Sequence, residues 1–261
     1  METVYAIPGA LALAAWFLAV VLYAVGWQQK KKEYGRAGDG LALAGLIAAL
    51  AGVVWLAWRA PLGFAFTRSS LATGLAVLIV VEYMLLVRSG EERLPALVTL
   101  GLAVPLQAYA VGQLWWGVDV APADVFLPIW AAVGMLAGLV GYASLAVAAI
   151  MMVLSSGSSL TTETSATAPL ADGTKFWELE WRFTQIALIA LSLSLAARLA
   201  RAWWGLGQLM IGGFTWALIT WLLLVASTYA QMQDAIPRRP ARALFALASA
   251  MGILSALAMA G

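Results

Sequence analysis

The chain has 261 residues, of which 63% are hydrophobic and only 11% are charged, and its mean hydropathy is +0.90. A soluble domain with so few charges would expose too much apolar surface to stay dispersed, so the composition excludes an ordinary soluble protein. The chain has no cysteine and no histidine. It therefore cannot form disulfides or thiolate metal sites, and it lacks the usual general base and the usual haem ligand.

Apolar segments recur along the whole chain, most of them near the ~20 residues that a helix needs to cross a bilayer. The first is preceded by Glu2 and by no Lys or Arg, so we predict a membrane span there, not a signal peptide. The predicted spans are about 5–27, 40–58, 70–87, 95–111, 125–154, 183–200, 214–229 and 243–260. The sequence thus predicts an all-α integral membrane protein, a single polytopic domain over 1–261 with about eight transmembrane helices.

Polar segments separate the predicted spans, and two of them are long. Residues 28–39 carry several basic side chains, and residues 155–181 are rich in Ser and Thr and end in the amphipathic stretch KFWELEW. We expect 155–181 to be a flexible connector, ordered only where a neighbour holds it.

The basic residues divide unevenly between the two sides of the predicted bundle. With the N-terminus outside, eleven of the 15 Lys and Arg residues fall in inner segments. The four in outer segments are Arg59, Arg68, Arg198 and Arg201. The positive-inside rule therefore predicts that both termini and the Trp-rich loop after residue 200 lie outside, and we expect the protein in the inner (plasma) membrane. The small net charge of +2 needs no nucleic-acid partner.

The most distinctive segment is 200–229, which reads ARAWWGLGQLMIGGFTWALITWLLLVASTY. Its Trp204-Gly205 pair, the run TWALITWL at 215–222 and the spacing between them resemble the cytochrome c assembly family. Weaker similarity covers 181–257, and Gly141-Tyr142 matches a Gly-Tyr pair of the family. Members of this family are polytopic membrane proteins that handle haem for attachment to c-type cytochromes, so the resemblance implies their fold.

The resemblance does not carry over the family's ligands. Where the family has the motif W-x-W-D-P-K-E, this chain reads QLMIGGF at 208–214. Where the family has a histidine near the end of the following helix, this chain has Tyr229. Haem iron needs an axial ligand, and Tyr or Met serves only in particular settings. We therefore expect no cofactor, with haem possible only through non-histidine contacts.

Several residues near this segment are candidates for binding haem or a pigment. Trp203 and Trp204 with Met210 are suited to cradle a flat macrocycle, or they belong to an interfacial aromatic belt. Arg198 and Arg201, about one helical turn apart, are suited to pair with propionates or to reach phosphate headgroups. Tyr229 is either a phenolate ligand or another belt residue.

Other candidates concern partners and depth in the membrane. Trp115 and Trp116 are predicted anchors for a partner or for lipid. Ala248 and Gly252 belong to a small-xxx-small stripe in the last span, a pattern that lets helices approach closely, and Ala246 and Ala250 form a second pair. Glu82 is the acid deepest within a predicted span, and we place it near the inner headgroups.

These features favour a membrane subunit without catalytic activity. No nucleotide-binding loop, catalytic triad or paired carboxylates occur in the sequence. We predict a scaffold or assembly factor of a larger membrane complex, respiratory or photosynthetic, whose partners are the bilayer and other, cytochrome-containing subunits. The alternative is haem delivery in c-type cytochrome biogenesis; solute transport is disfavoured because buried charges and broken helix pairs are lacking.

Overall fold

The computed structural model describes residues 3–29, 32–59, 67–84, 93–116, 129–161, 173–203, 211–232 and 238–260. These residues form helices and no strand, which confirms the predicted all-α class. The eight helices are α1 (Thr3–Gln29), α2 (Lys32–Arg59), α3 (Arg68–Glu82), α4 (Arg93–Trp115), α5 (Ile129–Thr161), α6 (Gly173–Trp203), α7 (Ile211–Met232) and α8 (Arg238–Ala260).

Six of these helices are long and apolar enough to cross a membrane. Their crossing segments are Ala6–Gly26, Glu33–Trp55, Pro95–Trp115, Ala132–Ser155, Phe176–Ala200 and Phe214–Met232. The other two, α3 and α8, contain shorter apolar segments, Ser69–Glu82 and Ala241–Gly252, among the described residues. The protein is therefore a multi-pass membrane protein, with one helix at each position where the sequence predicts a span.

The helices extend beyond the apolar spans into segments that the sequence analysis assigned to loops. Residues 28–39 were expected to form a polar loop, yet α1 continues to Gln29 and α2 begins at Lys32. Likewise α5 reaches Thr161 and α6 begins at Gly173, so most of the expected connector is helical, and 162–172 lie outside the described residues. Lys, Glu and Arg are good helix formers, so at the starts of α2 and α6 polar composition ends the membrane span without ending the helix.

The chain divides into two compact units, Met1–Leu127 and Pro128–Gly261. In the first unit, α1 packs antiparallel against α2 through glycines spaced seven residues apart. Each of these three glycines of α2 meets a larger residue of α1. The pairs are Gly38 with Tyr23, Gly45 with Trp16 and Gly52 with Pro8. Because glycine has no Cβ, the bulky side chains of α1 fit against the backbone of α2.

Trp16 is the centre of this contact. Its side chain is fully buried, and its indole Nε1 donates a hydrogen bond to the carbonyl of Ala42 at 3.1 Å. Helix α1 also packs against α4. There Gln107 Nε2 donates a hydrogen bond to the carbonyl of Gly9 at 3.3 Å. The first unit is therefore built on α1, which has both α2 and α4 as neighbours.

In the second unit α5 and α6 form the most extensive pair. A Cβ on Gly134 would lie 3.3 Å from Cβ of Ala197, and one on Gly141 only 2.7 Å from Cγ of Leu191. The Ser194 hydroxyl donates to the carbonyl of Gly134 at 2.6 Å. Small residues thus bring the two backbones together, as expected where lipid gives no hydrophobic drive for association.

Candidate functional site at the end of α6

The C-terminal end of α6 carries a shallow apolar groove with a volume of about 600 Å³. The groove is open on one side. Its lining residues are Leu199, Ala200, Ala202 and Trp203. Trp203 is 88% exposed, so nearly the whole indole is available to lipid, to a partner or to a ligand. The structure therefore places one of the predicted aromatic residues beside a recess in the protein surface.

The other residues predicted for this site are only partly described. Trp204 and Met210 lie outside the described residues, and of Arg201 only the backbone, in the last turn of α6, is described. Tyr229 lies near the end of α7 and is 62% exposed, as expected for a residue that faces the surroundings of the bundle. The predicted grouping of these residues around a ligand remains a prediction.

Arg198 directly precedes Leu199, the first lining residue of the groove, and its aliphatic part packs against α5. A Cβ built on Gly134 would lie 3.8 Å from Cγ of Arg198. The side chain is half-buried, and its charge lies within electrostatic range of Tyr142. Arg198 belongs to a crossing segment, where a charged group is costly unless other groups stabilise it.

Beside Arg198, two buried hydroxyls join α5 to α8. The hydroxyls of Tyr142 and Ser255 lie 2.5 Å apart, and both residues are almost fully buried. One turn along α8 from Ser255, a Cβ on Gly252 would lie 2.7 Å from Cδ2 of Leu145. The hydrogen bond and the close packing together fix α8 against α5.

The described groups near the groove are a cation, Arg198, and the two hydroxyls of Tyr142 and Ser255. No cluster of three or more His, Cys, Asp or Glu side chains that might hold a metal occurs in the described part of the chain. The groups suit an anionic or hydrogen-bonding ligand. They do not form a nucleophile-and-base pair.

The residues predicted to contact partners divide into two groups. Trp115 and Trp116, at the end of α4, are 62% and 77% exposed and remain available as anchors. Ala248 and Gly252 are instead buried, and Gly252 packs on Leu145 of α5 within the same chain. The face of α8 that carries Ala248 and Gly252 therefore packs within the second unit. The second small pair of α8, Ala246 and Ala250, is the exposed one.

A buried polar cluster in the first unit does not follow from the sequence analysis. The hydroxyl of Tyr23 hydrogen-bonds a carboxylate oxygen of Asp39, and the side chain of Tyr83, just after α3, lies beside the same hydroxyl. Tyr23 and Tyr83 are both buried. The sequence does contain an indication of this cluster, which is the acidic residue Asp39 between Gly38 and Gly40. The indication is missed when 28–39 is assigned to a loop, because Asp39 is then not recognised as part of a helix face.

A second buried acid lies in α6. Glu180 is only 3% exposed, and the Ser155 hydroxyl donates to its Oε2 at 3.4 Å. Arg242 of α8 lies within electrostatic range of the same carboxylate. The spacing of residues 176, 180, 183 and 187 places them on one face of a helix, and this spacing is visible in the sequence. All four residues are buried in the structure.

The helices define a polytopic α-helical membrane protein with a cytochrome c assembly-like fold. Comparison of the sequence with known protein families finds no match, and comparison with curated proteins finds none either. Among solved structures, the chain is similar to the cytochrome c haem lyase CcmF, with a TM-score of 0.69 and 20% sequence identity. The likeness covers 98% of this chain and 46% of that chain, so this chain spans about half the length of the solved protein. It confirms, at the level of the fold, the resemblance carried by 200–229.

Proposed function

We propose that this protein is a non-catalytic subunit that acts as a scaffold or assembly factor in a cytochrome-containing membrane complex. The observation that carries the proposal is a cytochrome c assembly-like fold in a chain that contains neither histidine nor cysteine. Haem iron is held in proteins mainly by these two residue types and by methionine or tyrosine in particular settings. A fold of this class without histidine or cysteine is suited to hold other subunits.

The exposed aromatic and small residues supply the surface for such partners. Trp115, Trp116 and Trp203 project from helix ends, and tryptophan is enriched where interfaces carry their binding energy. On α8, the outward pair Ala246 and Ala250 would allow a partner helix to approach closely. The buried stripe of Ala248 and Gly252 would then stabilise α8 within the chain while its opposite face meets the partner.

Haem handling is the second candidate, and the groove at the end of α6 favours it. An exposed Trp203 beside an apolar recess suits a flat apolar ring, and Arg198 supplies a nearby positive charge. In this case the chain would share a role with the haem lyase that it resembles. It would hold its ligand without an axial histidine.

Purification from the native membrane in mild detergent distinguishes the two candidates. The scaffold proposal expects companion subunits on native gels, and no haem in a pyridine haemochrome spectrum of the protein freed from them. Stoichiometric haem that is lost in Tyr229→Phe or Met210→Leu would establish haem handling. A monodisperse protein with neither haem nor companions would contradict both.

We also propose that the protein lies in the inner (plasma) membrane with both termini outside. The support is the excess of Lys and Arg in the predicted inner segments. Because the chain has no cysteine, single cysteines can be introduced without background labelling. Lys31→Cys and Arg239→Cys should react only from the cytoplasmic side, and Trp116→Cys only from outside. Reaction of all three from one face would contradict the eight-span topology.

A further inference from the structure

One face of α4 stays uncovered along its membrane crossing. The exposed residues of this face recur at intervals of three or four, so they form one continuous stripe on the helix. They are Val98, Gly101, Leu102, Pro105, Ala108 and Tyr109. Positions 98, 101, 105 and 108 follow the alternating spacing with which one helix packs along another. The face therefore suits a neighbouring helix that the described part of the chain does not supply.

Pro105 creates an unpaired acceptor on this face. It lies at the centre of the crossing segment Pro95–Trp115, and because proline has no N–H group, the carbonyl of Gly101 lacks its usual helical donor. Gly101 is exposed, and nothing would lie within 4 Å of a Cβ built on it. Since the hydrocarbon region offers no water, such a carbonyl is costly until a neighbouring group donates to it.

Tyr109 supplies a donor on the same face. Its side chain is 45% exposed, and its hydroxyl has no hydrogen-bond partner among the described residues. It follows Pro105 by four residues, or about 6 Å along the helix, so it still lies within the hydrocarbon. Helical side chains lean toward the N-terminus and helical carbonyls point toward the C-terminus. The Tyr109 hydroxyl and the Gly101 carbonyl therefore approach the same depth.

We propose that this face of α4 binds the same face of a second copy of the chain. Two copies inserted in the same orientation hold their α4 helices parallel, so a two-fold axis along the membrane normal brings identical faces together. Each Tyr109 can then donate to the Gly101 carbonyl of the other copy, which satisfies both groups in both copies. Gly101 and Ala108 are small and allow the backbones to approach closely. The proposal concerns the first unit and does not depend on the scaffold role.

Disulfide crosslinking of the full-length protein in lipid vesicles tests this contact, because the chain has no cysteine of its own. Ala108→Cys places two thiols near the two-fold axis. Ile47→Cys is the matched control, since it is exposed on α2 and, like Ala108, lies three residues past the centre of its crossing segment. At low protein density the initial crosslinking rate follows the population of the dimer. We expect at least about tenfold faster crosslinking at position 108, because a disulfide needs Cα atoms within about 7 Å.

Two variants in the Ala108→Cys background test the hydrogen bond itself. Tyr109→Phe removes the donor and should slow crosslinking about five- to tenfold, because each dimer loses two bonds of the modest strength found between membrane helices. Tyr229→Phe is its control, since Tyr229 is an exposed tyrosine of α7, outside this face. Pro105→Ala restores the helical donor to Gly101, so it should slow crosslinking although α4 becomes a more regular helix.

Three results would overturn the proposal. The first is crosslinking at position 108 that is no faster than at position 47. The second is an unchanged rate in Tyr109→Phe, which would show that the hydroxyl remains unpaired in the dimer. The third is a complex from the native membrane that contains a single copy of this chain, which would assign the face of α4 to a different subunit or to lipid.

Discussion

The two units are built from similarly apolar helices, yet they bury them to different extents. In the first unit, 28% of the crossing segment is buried in each of α1, α2 and α4. In the second, 56% is buried in α5, 44% in α6 and 33% in α7. α5 and α6 bury the most because they form the most extensive helix pair, whereas α1, which also has two neighbouring helices, leaves large outer faces uncovered. Hydropathy alone therefore does not reveal which membrane helix forms the core of a unit.

The difference arises from where the small residues lie. On α2, Gly38, Gly45 and Gly52 form one row that meets α1, so α2 uses a single face for close packing. On α5 the glycines meet α6, while Tyr142 and Leu145 meet α8, so two faces are used. In a bilayer, association follows close packing and hydrogen bonds. A helix with such residues on two faces becomes the centre of its unit.

The largest expected effect is at Gly45. A Cβ there would lie 2.5 Å from the indole of the fully buried Trp16, which has no room to move. Gly45→Ala should destabilise the first unit by about 2–3 kcal/mol, the upper part of the range for overpacking. The matched control is Gly40→Ala in the same helix, where nothing lies within 4 Å. Thermal denaturation in detergent should separate the two variants, and equal melting temperatures would contradict the seam between α1 and α2.

The corresponding change in the second unit is Gly141→Ala. Its Cβ would meet Cγ of Leu191 at 2.7 Å and the backbone nitrogen of Leu191 at 3.2 Å. We expect a loss of about 1–2 kcal/mol. Gly252→Ala should cost less, because the atom it meets is the end of the flexible Leu145 side chain. A larger loss of thermal stability for Gly252→Ala than for Gly141→Ala would mean that α5 packs more tightly against α8 than against α6.

The hydrogen bonds of the two buried tyrosines give a smaller contrast. Tyr23→Phe removes a bond to the carboxylate of Asp39, and such bonds contribute about 1.5–3 kcal/mol. Tyr142→Phe removes a bond between two neutral hydroxyls, which contributes about 0.5–1.5 kcal/mol. The ratio of the two losses, measured by thermal denaturation in one detergent, tests this order. A larger loss for Tyr142→Phe would show that the hydroxyl pair also supports Arg198.

The smallest effect is expected at the exposed ion pair of α6. Arg182 and Glu178 lie 2.5 Å apart with side chains 62% and 58% exposed. Arg182→Gln should change stability by no more than about 0.5 kcal/mol, as for other exposed pairs one helical turn apart. A loss well above about 1 kcal/mol, the upper end for exposed ion pairs, would mean that Arg182 is buried against a partner in the native membrane.

Much of the fold could be predicted from the sequence because bilayer thickness constrains the length of each apolar segment. All eight helices lie where spans were predicted, and the segment 215–222 indicated the fold class. Helix ends could not be predicted in the same way, since residues such as Gln29 and Lys32 lie outside the crossing segments but still within the helices. Hydropathy indicates where a segment leaves the lipid, but it does not indicate where the helix ends.

The candidate site was predictable only in part. Arg198 and Trp203 were identified, but the sequence does not show that the aliphatic part of Arg198 packs against α5 at Gly134. The inward direction of Ala248 and Gly252 was equally hidden, because a second small pair exists on another face of α8. Which face packs depends on the neighbour, and here the deciding residue is Leu145, more than a hundred positions away. Periodicity within one helix carries no information on such a contact.

The seven-residue spacing of Gly38, Gly45 and Gly52 has a consequence for the shape of the first two helices. A straight α-helix has 3.6 residues per turn, so positions seven apart drift by about 20° around the axis with each repeat. Over the two repeats of α2 this drift amounts to about 40°, which a slight left-handed winding of the two helices would offset. A single residue inserted between Gly45 and Gly52 would rotate one end of that seam by about 100° relative to the other. The register of the pair is thus encoded by three residues that have no side chain.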